Sequence, residues 1–264
     1  MLSTQISQVT SIFKPKPVFN RPFLERQHRV SRILYVVNLS LLFVLSGAVI
    51  ATKAMTIAFI EDNNDTGFMF ETGDPEPTVL AALPKMLFVA PAKIAMCAAA
   101  IGVFVSIGHL IFIVKDWSDG TKTQAYSFRR NSMFIHLTNS ILILFSLVST
   151  FVTHKSTSHF LEGYINRKAD RPGEGIRYNI GTFDLETWSC ELKDVPGARM
   201  VADDYARQCS VEIAGRLILI PFLIITFVVT GISIAVMLGG KRNADGERLK
   251  TEEVGLEMGK FNAI

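Results

Sequence analysis

Four apolar blocks without a single Asp, Glu, Lys or Arg, residues 33–52, 94–114, 133–152 and 217–240, constrain this chain more than any other feature. A helix needs about 20 apolar residues to cross a hydrocarbon layer ~30 Å thick, and each block is that long. A soluble domain would scatter its apolar residues at helix or strand period; here they are gathered into uncharged runs. Helices satisfy their own backbone hydrogen bonds in lipid, so no β-barrel need be invoked. The expected fold class is an all-α membrane protein, a four-helix transmembrane bundle with a small disulfide-bonded extracytoplasmic cap.

Charge placement orients the bundle. The tail through Arg32 carries six Lys and Arg against one acid, Glu25. Residues 61–84 carry six acids and no Lys or Arg, and residues 115–130 four basic residues against two acidic. Beyond the fourth block, residues 241–250 again have four basic against two acidic. Basic segments stay cytosolic, so both termini are expected inside and the segments 61–85 and 155–213 outside. No cleavable signal peptide is apparent, because the first apolar block starts only at Ile33 and is too long for a signal core; it reads as a signal anchor. The expected location is the plasma membrane or a secretory-pathway membrane. The net charge of +3 is too small to imply nucleic-acid binding.

The expected spans cover about residues 33–60, 86–114, 133–153 and 214–239, flanked by cytosolic tails at 1–32 and 241–264. Apolar residues 54–60 and 86–92 extend the first two blocks past Lys53 and Lys93, so both helices are expected to overshoot the bilayer by about two turns, roughly 10 Å. Lys53 and Lys93 are expected to snorkel to the headgroups, with an anion-attracting pair at the bundle mouth as the alternative. Residues 201–216 form a plausible helical stalk on the fourth span, with Pro221 as a kink. The basic, phenylalanine-bearing tail is expected to be an unstructured segment that fixes topology, with contact to anionic lipid headgroups as the alternative.

The cysteines divide by location. Cys97 lies in the second span, whereas Cys190 and Cys209 share the large outer loop with eighteen residues between them. An oxidising compartment makes that pair a disulfide; a zinc site would want four ligands, and His154 and His159 are the histidines nearby. Asn64-Asp65-Thr66 is an N-glycosylation sequon on the expected outer side, while Asn38-Leu39-Ser40 lies within the first span and is silent.

Two histidines lie within the spans. His109 stands six positions before Lys115 and His136 six after Arg130, and the short connection makes these two helices antiparallel neighbours. Both are then about 9 Å inside the cytosolic boundary and able to face each other. Facing imidazoles can ligate haem iron or another metal, relay a proton, or simply hydrogen-bond across the bundle or to the interface, near Ser106 and Asn139. The last is the expected use, and no cofactor is expected. Asn38 and Asn139 are expected to bond between helices. Small residues recur at four-residue spacing: Gly47 and Ala51; Ala98, Gly102 and Ser106; Gly231, Ala235 and Gly239. Such stripes let helices approach closely, within one bundle or between two copies.

The large loop has a turn at Arg171-Pro172-Gly173, a mixed segment 178–192 suited to one or two short strands or an ordered loop, and a second turn at Pro196-Gly197. Trp188 is expected to pack on the disulfide or at the interface. The run Phe183-Asp184-Leu185-Glu186-Thr187-Trp188-Ser189-Cys190, with Cys209 and Ile220-Pro221 after it, resembles uncharacterised four-span membrane proteins of filamentous fungi. That resemblance covers the spans and the large loop and implies no activity. The Cys-Cys-Gly run of tetraspanins is missing, since Ser189 and Glu191 flank Cys190. Claudin-like proteins place their Trp and cysteine pair in the first outer loop, which here has no cysteine.

No phosphate-binding glycine loop, Ser-His-Asp arrangement or metal-ligand spacing occurs in the loop. The leading expectation is a non-enzymatic membrane organiser or interaction protein, with lipid and a protein partner or a second copy as its contacts. A transporter or channel accessory subunit and a haem- or metal-binding protein using His109 and His136 are the alternatives.

Overall fold

The computed structural model describes residues 25–72, 78–120, 124, 126–169 and 176–238. The tails, the turn at 171–173 and Gly239 lie outside these residues. In chain order the elements are α1 (Glu25–Asn63), β1 (Gly67–Phe70), β2 (Thr78–Ala81), α2 (Ala90–Ser118), α3 (Tyr126–Lys155), α4 (Glu162–Ala169), α5 (Leu185–Leu192), α6 (Ala202–Leu217) and α7 (Leu219–Leu238). A 3-10 turn at Pro196–Val201 precedes α6.

Among the described residues, four helical stretches are long and apolar enough to cross a membrane: His28–Asn63, Ala90–Ser118, Ser127–Lys155 and Pro196–Leu238. At 39 residues, α1 is about 58 Å long at helical rise, well beyond the ~30 Å of a hydrocarbon core. Gly120, at φ +64°, follows the end of α2, where the Asp119 N–H closes the last turn on the Lys115 carbonyl. α6 and α7 make one rod with a break at Ile218. Pro221 has no N–H to offer the preceding turn, but the Ile218 N–H donates to Ala214 O (3.0 Å) and that of Phe222 to Ile218 O (3.2 Å).

The rods form a ring in which α1 and α3 each pack against both α2 and α7. Leu39, Leu42, Val49, Ile143, Phe222 and Val229 fill its centre. Phe104, Ile111, Val114, Ile141 and Ile224 point out of the bundle and are well exposed. A bundle that is apolar outside as well as inside matches a lipid solvent rather than water. At Gly102 a side chain would lie 2.6 Å from Ser46 Oγ and 3.3 Å from the Phe222 ring, so this glycine permits the close approach of α2 to α1 and α7. Ala98 and Ser106 share its buried stripe, whereas Gly47, Ala51, Gly231 and Ala235 face outward.

The cap is a second body with its own core. Antiparallel β1 and β2 pair Gly67 with Ala81 and Met69 with Val79. Ile176 extends this hairpin, donating to Val79 O (2.8 Å) and accepting from the Ala81 N–H (2.9 Å). Trp188, Tyr178, Phe183, Phe70, Leu80 and Ile165 are packed beneath it. Trp188 donates its Nε1–H to Ala82 O at 2.9 Å, a structural use of the ring. Cys190 of α5 is bonded to Cys209 of α6, and closing a loop of this length contributes about 3 kcal/mol in the chain-entropy account.

Two local expectations are corrected. Residues 86–89 do not extend the second helix, because their backbone is paired elsewhere: the Phe183 N–H donates to Met86 O (2.9 Å) and that of Phe88 to Phe183 O (2.8 Å). Pro91 then marks the helix start, where its missing N–H costs nothing. The segment 178–192 is not a pair of strands either. Beyond Phe183 it becomes α5, whose first turn is capped by the Asp184 carboxylate accepting the Thr187 N–H at 3.2 Å.

Candidate functional site

The structure brings together the two histidines of the apolar helices α2 and α3. Antiparallel α2 and α3 set Nδ1 of His109 2.8 Å from Nε2 of His136. The Tyr35 ring lies 4.6 Å from the His109 ring, and its hydroxyl donates to Ser233 Oγ at 3.0 Å. The Thr230 hydroxyl donates to the His136 carbonyl at 3.1 Å. The pair is thus a direct hydrogen bond across the bundle. Axial haem ligands occupy opposite faces of a macrocycle, and two nitrogens in hydrogen-bond contact leave no room for one.

The asparagines behave differently from expectation. Asn38 is half-buried and donates to Leu34 O of its own helix at 2.8 Å. Asn139 is 1% exposed, yet neither its Oδ1 nor its Nδ2 meets a hydrogen-bond partner among the described residues; Nδ1 of His136, one turn away, is in the same state. Burying an unbonded amide costs ~1–3 kcal/mol. Asn139→Leu is therefore expected to raise stability by about 1 kcal/mol in detergent unfolding. A loss of stability would show that water or another group satisfies the amide.

Lys53 is the clearest departure. Instead of snorkelling, it is 3% exposed and its Nζ lies 2.9 Å from Glu212 Oε2. Glu212 also accepts from the Thr56 hydroxyl and from Gln208 Nε2 (3.0 Å). Gly215 makes room for this, because a side chain there would stand 3.2 Å from Nζ. One turn further, Arg216 holds Glu186 with two hydrogen bonds, Nε to Oε2 (2.8 Å) and Nη2 to Oε1 (2.7 Å). Its guanidinium also lies 5.3 Å from the Phe151 ring centroid. His154, in the last turn of α3, places Nδ1 3.0 Å from Asp184 Oδ2 and 3.8 Å from Glu186 Oε2. His159 pairs with Glu191 at 2.5 Å. These groups bind α1, α3, α5 and α6 together where the cap meets the bundle.

A second ionic cluster lies at the far end. Arg32 of α1 meets Asp116 of α2 at 2.9 Å, His28 approaches the same carboxylate at 3.3 Å, and Arg129 Nη1 donates to the Val236 carbonyl at 3.3 Å. Arg32 and Arg129 are therefore turned into the protein. Asn64 is exposed in the turn after α1, and Cys97 is a free, exposed cysteine.

Glu212, Glu186 and Asp184 were not legible as a site in the sequence. The usable signal was Gln208, Glu212 and Arg216 at four-residue spacing ahead of one apolar block, with a lone Lys53 just beyond another. Together the fold and the junction define a four-helix protein of membrane-spanning length with a covalently stapled cap. No protein-family model matches the chain, and no curated protein and no solved structure matches it.

Proposed function

We propose that this chain is a polytopic membrane protein with both termini in the cytosol and the cap outside, acting as a non-enzymatic organiser or interaction protein. The observation that carries the reading is the construction of the cap: an aromatic core and a disulfide, fixed to the bundle by buried ion pairs. Such a body holds its surface in one geometry, which lowers the ordering cost of binding. Met69, Val79, Ile180 and Met200 are exposed on it. The acidic flank and the exposed Asn64 sequon after α1 support the orientation.

Transport fits less well. Leu42 on α1, Ile143 on α3 and Leu219 on α7 are fully buried, and each stands between the two ionic ends in the order of its helix. A metal or haem role for His109 and His136 draws no support from their mutual hydrogen bond. Photo-crosslinkers placed at Met200 and Met69 in intact membranes are expected to give a discrete heteromeric or dimeric adduct, absent when placed at the buried Ile165. Monomer at every position would sink the reading. Loss of a glycosidase-sensitive mass shift in Asn64→Gln tests the orientation, which modification of sites engineered at 119–125 would overturn.

A further inference from the structure

Where the cap meets α3, the side chains that join them have the composition of a metal site. We propose that His154, Asp184 and Glu186 bind one divalent transition-metal cation of the zinc class. Their candidate ligand atoms all lie within 4.8 Å of one another. Two imidazole-to-carboxylate separations, 3.0 Å to Asp184 and 3.8 Å to Glu186, bracket the roughly 3.3 Å that separates ligands around a tetrahedral ion with ~2.0–2.1 Å bonds. The third separation, between the two carboxylates, lies within 4.8 Å, so closing the set on an ion takes side-chain shifts on the order of 1 Å.

The donor set selects the class of cation. One imidazole with two carboxylates suits zinc and its neighbours rather than calcium or magnesium, which take oxygen ligands. Asp184 has Oδ2 to give, because Oδ1 is occupied by the Thr187 N–H at the start of α5. Glu186 is oriented by the two-point contact from Arg216, the kind of outer partner that fixes a ligating carboxylate. With Arg216 counted, the two carboxylates leave one net negative charge for the cation. His154 also sits at the C-terminal end of α3, where the helix dipole favours positive charge. A cavity of about 300 Å³ beside two of the three ligands, lined by His154, Lys155, His159, Glu186 and Glu191 among others, leaves space for a fourth ligand. His159 and Glu191 already pair with each other and are assigned no direct ligation.

The test uses the full chain in detergent, without a histidine tag and stripped with a chelator. Titration with zinc against a chromophoric chelator is expected to give one bound equivalent, and cobalt(II) to give the intense visible bands of a tetrahedral site. Affinity is expected to fall by at least about tenfold in both His154→Gln and Asp184→Asn, and to be unchanged in His109→Gln. Thermal unfolding without metal checks that each variant is folded, and added zinc should raise the transition of the wild-type chain but not of the His154 variant. The absence of a bound equivalent in the wild type would overturn the proposal. So would full affinity in either junction variant, or loss of binding in His109→Gln.

Discussion

Glu212→Ala is expected to destabilise the protein by about 3–5 kcal/mol, because it leaves Lys53 buried as an uncompensated charge. Lys53 is 3% exposed, and it lines a cavity of about 40 Å³ together with Leu185, Glu186 and Phe88. The loss is not the worth of the ion pair itself, since two desolvated charges return little beyond the cost of burying them. Lys53→Met combined with Glu212→Leu is therefore expected to recover most of it. Thr56 keeps a partner in that double variant, because its hydroxyl also donates to Thr52 O at 3.1 Å, while Gln208 loses its acceptor and limits the recovery. Equilibrium unfolding in detergent micelles checks both. If Glu212→Ala costs under about 1 kcal/mol, Lys53 reaches solvent or headgroups by the snorkelling route that its position between two apolar runs suggested.

This residue also shows where the sequence could and could not be read. Hydropathy locates a span because it sums over about 20 residues, and the uncharged blocks correspond to the rods α1, α2, α3 and α7. The two cysteines were legible for a similar reason: few residues were available to pair. The cap was harder. Residues 86–89 and 178–183 have compositions open to helix or strand, and their state is decided by backbone pairing with each other across almost a hundred residues of chain. The junction was harder still. Whether Lys53 snorkels or is buried depends on Glu212 lying opposite it, and that follows from the rotation of α6 about its axis rather than from local propensity. Loop length and depth put His109 and His136 at one level of adjacent helices, but whether they meet depends on helix rotation and side-chain geometry that spacing does not supply.

Trp188→Ala is expected to remove about 3–5 kcal/mol from the cap while sparing the bundle. The indole is fully buried and packs edge-on against Phe160 at 5.6 Å, Tyr178 at 5.5 Å and Phe183 at 5.2 Å. Its removal opens a cavity that these rings, held by backbone pairing at Phe183 and by the Leu161 N–H donating to the Tyr178 hydroxyl, are poorly placed to fill. The Tyr178 hydroxyl, whose pKa burial already pushes upward, would gain water and move back toward its ordinary value. The Ala82 carbonyl is not orphaned, because the Tyr205 hydroxyl donates to it at 2.6 Å, so the cost is one of packing rather than of a lost acceptor. The cap and bundle have separate cores, and unfolding should then separate into two steps. Hydrogen exchange is expected to accelerate at β1, β2 and α5 while α2 and α7 stay protected. Trp188→Phe, which keeps most of the apolar volume, should cost less than half as much. Uniform loss of protection across both bodies would show instead that the ion pairs at the junction make them a single cooperative unit.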